Sequence, residues 1–269
     1  MQYDPIKRSL GSVFNRTPFL RILFYRLLDL LLLRSWHIRR ELKKLKHQGF
    51  HPGRIGAAGS GFGQYVYYLT RIYPEARITG LDIKQEQVDD CNRFFASIGK
   101  QDLVVFEYAD LTGLDRKEVF DLVLSIDVLE HIEDDRGVMK HICQSLKPGG
   151  ILLVSTPSDQ GGSDVHHEHD TSFIDEHVRD GYGVEEINEK LRTAGFSEVD
   201  IRYSYGRPGR ISWKLSMKFP IRLANASKLF LLLLPFYYLL VYPFCFFLNM
   251  ADTRGKHTTG TGLIVKCRK

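Results

Sequence analysis

The sequence predicts an α/β fold: one mostly parallel sheet with helices on both faces, an amphipathic helix ahead of it and an apolar helical insertion before its last strand. Three observations carry this. From His51 onward short apolar runs alternate with helix-patterned stretches, the order expected of strand–helix–strand units. The first run ends in the glycine-rich turn Gly59-Ser60-Gly61-Phe62-Gly63. Asp82 and Asp110 close the second and third runs, so polar residues gather at the carboxyl ends of successive strands, where open parallel sheets bind ligands.

Residues 1–50 form a basic arm. Its stretch from Phe19 to Arg34 is rich in Leu and Phe, but Arg21, Arg26, Asp29 and Arg34 interrupt it too often to cross roughly 20 residues' worth of hydrocarbon. An amphipathic helix follows, for which membrane-surface contact and packing on the domain are both open. A core over 51–208 comes next, with strands at 54–58, 77–82, 103–109, 119–126, 151–155 and 198–205 and helices at 62–72, 85–98, 134–145 and 184–194. Residues 209–252 are an insertion whose stretch Leu229 to Ala251 holds no charge over 23 residues, a membrane signal by length and composition. Pro235 and Pro243 interrupt it, so a straight unbroken helix is not expected. Residues 253–269 supply the final strand, 262–266.

Composition narrows the function classes. At 269 residues with 43% hydrophobic and 26% charged residues, the chain can bury a core and is not disordered overall. The four cysteines (Cys91, Cys143, Cys245, Cys267) form no CxxC pair, which disfavours a zinc knuckle or a secreted disulfide frame and fits a reducing cytosol. Met1 to Leu10 has no signal-peptide pattern. Residues 1–50 carry 11 Lys/Arg against 3 Asp/Glu and residues 201–250 carry 7 against none, whereas residues 51–200 carry 14 against 28. An acidic core between basic, greasy segments argues for a membrane surface and against nucleic acid as partner.

The glycine turn is not a dinucleotide fingerprint. Counting GxGxxG from Gly59 puts Gln64 at the sixth position, and from Gly61 it puts Val66 there, so a pyrophosphate cradle is not supported. Asp82, 23 residues after Gly59, is placed to accept ribose hydroxyls, and Asp110 to accept from an adenine amine. Each could instead be a turn or helix-cap aspartate. As an ordered set they read as an adenosine pocket.

Ala58–Gly63, Gly80-Leu81-Asp82, Asp121–Ile132, Leu146–Val154, Ala194-Gly195-Phe196 and Gly260–Val265 together resemble a class I S-adenosylmethionine-dependent methyltransferase, of the methyltransferase type 11 or ubiquinone-type O-methyltransferase kind. The resemblance implies a Rossmann-like seven-stranded methyltransferase sheet. It also implies S-adenosyl-L-methionine as cofactor, held by Gly59, Ser60, Gly61, Asp82, Ile83, Asp110, Leu111 and Asp127. One departure stands out: the family commonly ends its first strand with an acid, and here that position is Ala57 or Gly56. A noncatalytic, cofactor-binding relative therefore stays open.

For the chemistry, His131, Asp127, His166 and His169 are the candidate catalytic residues, an imidazole near its ordinary pKa of about 6.5 being suited to take a hydroxyl proton. The spacing of Asp127, Glu130 and His131 also resembles the metal site of quinone-type and RNA-end O-methyltransferases, so a divalent metal is a secondary candidate cofactor beside plain packing of that loop. Arg179 and Tyr182 are candidates for the acceptor pocket. The expected function is methyl transfer to a membrane-resident lipid, O-methylation of a quinone-like, phenolic or polyene head group. A tethered methyltransferase of a soluble molecule and a noncatalytic membrane partner are the alternatives. If the last two strands pair as neighbours, the insertion must return to the side it left, which predicts a monotopic or peripheral protein on the cytoplasmic face of the membrane.

Overall fold

Seven strands, β1 (Arg54–Ala58), β2 (Arg77–Asp82), β3 (Val104–Tyr108), β4 (Phe120–Ile126), β5 (Leu146–Pro157), β6 (Glu198–Ser204) and β7 (Gly262–Arg268), form one sheet in the order β3–β2–β1–β4–β5–β7–β6. The computed structural model describes residues 17–161, 178–226 and 230–269. β1 to β5 are parallel, and β7 enters antiparallel between β5 and β6. The strand order reverses between β1 and β4, which opens a crevice at their carboxyl ends.

Alternating side chains explain why both faces are covered. Leu122, Leu124 and Leu153 join one apolar cluster with Val66 and Leu69 of α3 (Gln64–Ile72) and Val88 and Phe94 of α4 (Gln85–Ser97). Val123, Leu152 and Val154 point the other way, toward Val138 and Ile142 of α5 (Asp135–Ser145) and Ile187 and Leu191 of α6 (Val184–Ala194). The expected strands and helices are all present. β5 starts five residues before the predicted Ile151, its pairing with β4 resuming after a register shift between Phe120 and Leu122.

The arm is two helices, α1 (Pro18–Leu31) and α2 (Leu33–His47), broken at Leu32, whose backbone is extended. Its inner side packs: Tyr25, Ile38, Leu42 and Leu45 belong to the first cluster. Its outer side leaves Phe19, Leu23, Leu27 and Leu30 exposed.

The insertion corrects one expectation. α7 (Arg207–Trp213) runs through a π-helical turn (Lys214–Lys218) into α8 (Phe219–Ala226), and α9 (Phe230–Arg254) is one continuous helix despite Pro235 and Pro243. Each proline removes a single N–H from the ladder. Contacts to the antiparallel α7 and π turn hold the rest: Tyr237 and Tyr238 donate to the carbonyls of Leu215 and Ser216 at 2.7 Å, and Ser212 donates to that of Cys245 at 3.3 Å. The insertion starts and ends beside neighbouring strands, since β6 and β7 pair from Ser204↔Gly262 to Glu198↔Arg268.

Candidate active site

The glycine turn leaves β1 at the crevice. Gly59 (φ +66) needs a left-handed backbone, and a Cβ there would lie 2.3 Å from Val128 Cγ2, so the turn packs hard against the loop that follows β4. Gly61 (φ +52) faces open space, its nearest neighbour Gln87 Oε1 at 4.0 Å. Its N–H donates to Asp82 Oδ2 at 2.7 Å, and Lys84 N–H donates to Asp82 Oδ1 at 3.0 Å. Asp82 thus clips the turn to β2 while each oxygen keeps a lone pair for a ribose hydroxyl. Ile83 is exposed beside it.

Asp110 behaves as the cap reading foresaw. Its Oδ1 accepts from Thr112 N–H at 2.9 Å and Thr112 Oγ1 at 2.7 Å, bonds that hold its carboxyl below the usual range. The other oxygen remains for a ligand amine. Leu111 is buried, its carbonyl near His141 Nδ1 at 3.2 Å.

Asp127 follows β4 with a left-handed backbone (φ +52), and its carboxylate forms an ion pair with Arg34 of α2. Glu130 is wholly buried. Thr156 Oγ1 donates to its Oε2 at 3.1 Å while Oε1 has no partner, and burial, then the charge of Asp127, pushes its carboxyl up to about 8. His131 is half-buried on the same turn. Among the described residues no group of three His, Cys, Asp or Glu side chains is gathered for a metal, so Asp127, Glu130 and His131 do not assemble the secondary candidate site. His166 and His169 lie outside the described residues. Arg179 and Tyr182 anchor rather than line a pocket: Tyr182 is buried, its hydroxyl donating to Asp135 Oδ2 at 2.7 Å and lying 3.1 Å from the Leu129 carbonyl, and Arg179 pairs with the same carboxylate.

Sequence reasoning missed the arm's part in this site. Arg21 is buried, with Nη1 on Asp90 Oδ2 at 2.6 Å and Nη2 on the Phe62 carbonyl at 2.8 Å, and Tyr25 Oη donates to that carbonyl too. Gln64 Nε2 donates to Asp29 Oδ1 at 2.8 Å. The arm therefore braces the outside of the glycine turn. The signal was present as cations inside an apolar run, since a buried arginine is kept only where it finds partners.

The adenosine-containing cofactor fits these residues on a structural ground. Ser60 Oγ in the turn and Ser125 Oγ at the end of β4 are buried without a partner, as expected where a polar ligand completes the bonding. Replacing Asp82 with Ala is expected to weaken S-adenosylhomocysteine binding by about 1.5–3 kcal/mol through loss of charge-assisted bonds, read by calorimetry. Unchanged affinity would remove Asp82 from the site.

Comparison with known proteins agrees with this geometry. Residues 57–154 match a family described as a methyltransferase domain. Phosphoethanolamine N-methyltransferase 1 of Zea mays is 32% identical over 153 residues, covering 55% of this chain and 29% of that protein. Trans-aconitate 2-methyltransferase of Methylobacterium nodulans is 31% identical over 108 residues, 40% of each chain. The chain thus spans less than half the length of these curated relatives. Among solved structures, Haemonchus contortus phosphoethanolamine N-methyltransferase 2 in complex with S-adenosyl-L-methionine has a TM-score of 0.59 at 18% identity, covering 86% of this chain and 52% of that one. The [4+2]-cyclase SpnF has a TM-score of 0.55 at 20% identity, covering 86% and 80%. Residues 57–154 match the methyltransferase domain family, and most of the chain shares its fold with solved structures that include a methyltransferase in complex with S-adenosyl-L-methionine.

Proposed function

We propose that the chain transfers the methyl group of S-adenosylmethionine to an oxygen on a membrane-resident lipid, a quinone-like, phenolic or polyene head group, while lying on the cytoplasmic face of the membrane. The observation that carries this is the outward face of α9. Leu232, Phe236, Leu239, Leu240, Phe244 and Phe247 recur at helical spacing and are all exposed, Leu239 and Leu240 at 74% and 79%. Phe19, Leu23, Leu27 and Leu30 of α1 extend the apolar surface, and the two helices meet where Tyr242 Oη donates to the Leu30 carbonyl at 2.9 Å. Basic groups are concentrated in the arm and in the insertion. Residues 201–250 contain no acid, and an open groove of about 520 Å3 is lined by Arg39, Lys43, Lys46, His47 and Arg71.

When bound, the cofactor supplies an activated methyl on a sulfonium. The chain's part is to hold donor and acceptor in line and to take a hydroxyl proton. Asp82 and the glycine turn fix the nucleoside, and His131, on the loop after β4, is the described candidate base. His131→Ala is expected to lower turnover by roughly 100-fold while leaving cofactor affinity intact. Equal loss of affinity would make it a structural residue instead.

A second reading has its own support: Ala57 or Gly56 stands where an acid is common, and SpnF, of similar fold, is named for a cyclisation. In that case the chain binds the cofactor without transferring its methyl. Incubating the full chain with methyl-labelled cofactor and total lipid extract of the source separates the readings. Label in a lipid product supports transfer to a membrane acceptor, label only in water-soluble products points to a tethered enzyme, and cofactor binding without label favours the second reading.

A further inference from the structure

Arg34, Tyr65, Asp127, Glu130 and Tyr205 come from α2, the start of α3, the loop after β4 and the end of β6, and they converge at the crevice. Arg34 pairs with Asp127, and its backbone N–H donates to Tyr205 Oη at 3.1 Å. Tyr65 Oη lies 3.1 Å from Ser35 Oγ, one residue along α2. Arg34 acts electrostatically on Tyr65, Tyr205 and Glu130 as well as on Asp127. Two of the three non-glycine residues with left-handed backbone among those described, Asp127 (φ +52) and Tyr205 (φ +54), belong to this cluster, and such strain persists where surrounding contacts hold it for use.

The cluster is rich in donors. A guanidinium, two phenol hydroxyls and a buried carboxyl whose burial favours its protonated form surround a single carboxylate that is already paired, Asp127. Two of its polar atoms, Arg34 Nε and Glu130 Oε1, are buried with no partner. Arg34 and Asp127 stay partly open, their side chains 36% and 26% exposed, so a ligand can reach them. The other groups facing the cluster are Ser155, whose hydroxyl donates to Asp127 Oδ1 at 3.4 Å, His131 on the same turn, Tyr182 with Arg179 on the far side of Glu130, Asp29, whose charge acts on Tyr65 but is itself bonded to Gln64, and Asp252, which accepts from the Tyr205 N–H. Arg34 and Tyr205 lie outside the 57–154 methyltransferase segment, in the parts of the chain free to set the acceptor.

We propose that Arg34, with Tyr65 and Tyr205, receives the acceptor as an oxygen anion, so that the substrate is an acidic hydroxyl of the phenol class rather than an amine or an aliphatic alcohol. This rests on the methyl-transfer reading and names its substrate class. The acceptor's proton leaves to solvent or to the candidate base before transfer. The oxygen's lone pair then forms the O–CH3 bond as the CH3–S bond breaks, and that bonding pair stays on sulfur. An anion and a sulfonium cation become a neutral ether and a neutral thioether. Arg34 lowers the acidity threshold of the incoming hydroxyl, and Asp127 opposes it, which gives the two residues effects of opposite sign.

An alkyl-substituted 4-nitrophenol, whose ionised form is yellow, reads this directly when titrated into the full chain saturated with S-adenosylhomocysteine in uncharged detergent. The bound probe is expected to ionise at least about one pH unit below its free value. Arg34→Gln should abolish most of that shift, Arg34→Lys should retain much of it, and Asp127→Asn should enlarge it. Arg34→Lys and Asp127→Asn keep the experiment decisive if Arg34→Gln does not fold. A probe that binds without saturation, ionises at or above its free value, or keeps its shift in Arg34→Gln overturns the proposal, as does a smaller shift in Asp127→Asn. The absorbance reports ionisation, not turnover, so a lipid extract that takes no label leaves this result standing, and an unshifted probe leaves methyl transfer to another acceptor standing.

Discussion

Changing Phe236, Leu239, Leu240 and Phe244 together to Ser is expected to abolish flotation of the full chain with lipid vesicles. These four side chains lie on one face of α9 at helical spacing and are all exposed. Burying a large apolar side chain is worth about 1.5–3 kcal/mol, so even half-immersion of four would change partitioning by well over 100-fold. Because the face does not pack on the sheet, the same substitutions should leave the unfolding midpoint of the domain nearly unchanged. The basic residues act differently. Arg207, Arg210, Lys214, Lys218 and Arg222 of the antiparallel partner add up to about 1 kcal/mol each on anionic lipid, and salt screens that part alone. Binding to neutral vesicles should therefore survive high salt, while the extra affinity for anionic vesicles should not. If the unaltered chain stays in the aqueous fraction with both lipids, the membrane reading fails.

The sheet was legible because its signals are local. Short apolar runs, a glycine turn and acids at strand ends each lie within a few residues of what they specify, and β1 to β4 fall within a residue of their expected bounds. The site was legible only where it follows the strands. Asp82 could be placed from its distance to Gly59, but Arg34 and Asp127 are 93 residues apart, and a charge inside a greasy helix says that Arg34 needs a partner without saying which. Tyr205 gave no warning either, since a left-handed tyrosine is imposed by its neighbours: its N–H donates to Asp252 Oδ1 at 3.2 Å and its hydroxyl accepts from Arg34. Helix breaks were misjudged in both directions. α9 passes two prolines because side-chain bonds to α7 and the π turn hold it, whereas the arm breaks at Leu32, which is neither Pro nor Gly. The break is fixed from outside: the Leu30 carbonyl accepts from Trp36 Nε1 at 3.0 Å as well as from Tyr242, and Trp36 sits edge-on to Phe246 with ring centres 5.1 Å apart.

Asp252→Ala is expected to cost about 1–3 kcal/mol of unfolding free energy, the range for leaving a buried donor without its acceptor. Asp252 sits near the carboxyl end of α9, fully buried, and ties that helix to three other parts of the chain. Its Oδ1 lies 2.9 Å from His37 Nε2 of α2, its Oδ2 accepts from Gly209 N–H at 3.0 Å, and His257 Nε2 is 3.4 Å from Oδ2. Burial works against the ionised carboxyl, yet the hydrogen bonds to His37 and from the Gly209 N–H hold it below the usual carboxylate range. Burial pushes His37 down as well, offset in part by Asp252. Both shifts have the same consequence for pH. The unfolded chain protonates His37 as pH falls below its ordinary value of about 6.5 while the folded chain does not, so stability declines from there downward. Asp252 stabilises the fold above its ordinary value of about 4 and loses that contribution as pH falls through its lower folded value. Urea unfolding should thus show stability dropping between about pH 7 and pH 5, with a shallower drop in His37→Gln, which removes the first titration but keeps a donor to Asp252. Since α2 carries both His37 and Arg34, loosening the clasp should also move Arg34 out of reach of the acceptor oxygen, and Asp252→Ala should reduce the nitrophenol shift even at temperatures where its far-ultraviolet spectrum is native. A variant that unfolds at the same urea concentration as the original chain would mean that the clasp carries no stability and that α9 is held by its apolar contacts alone.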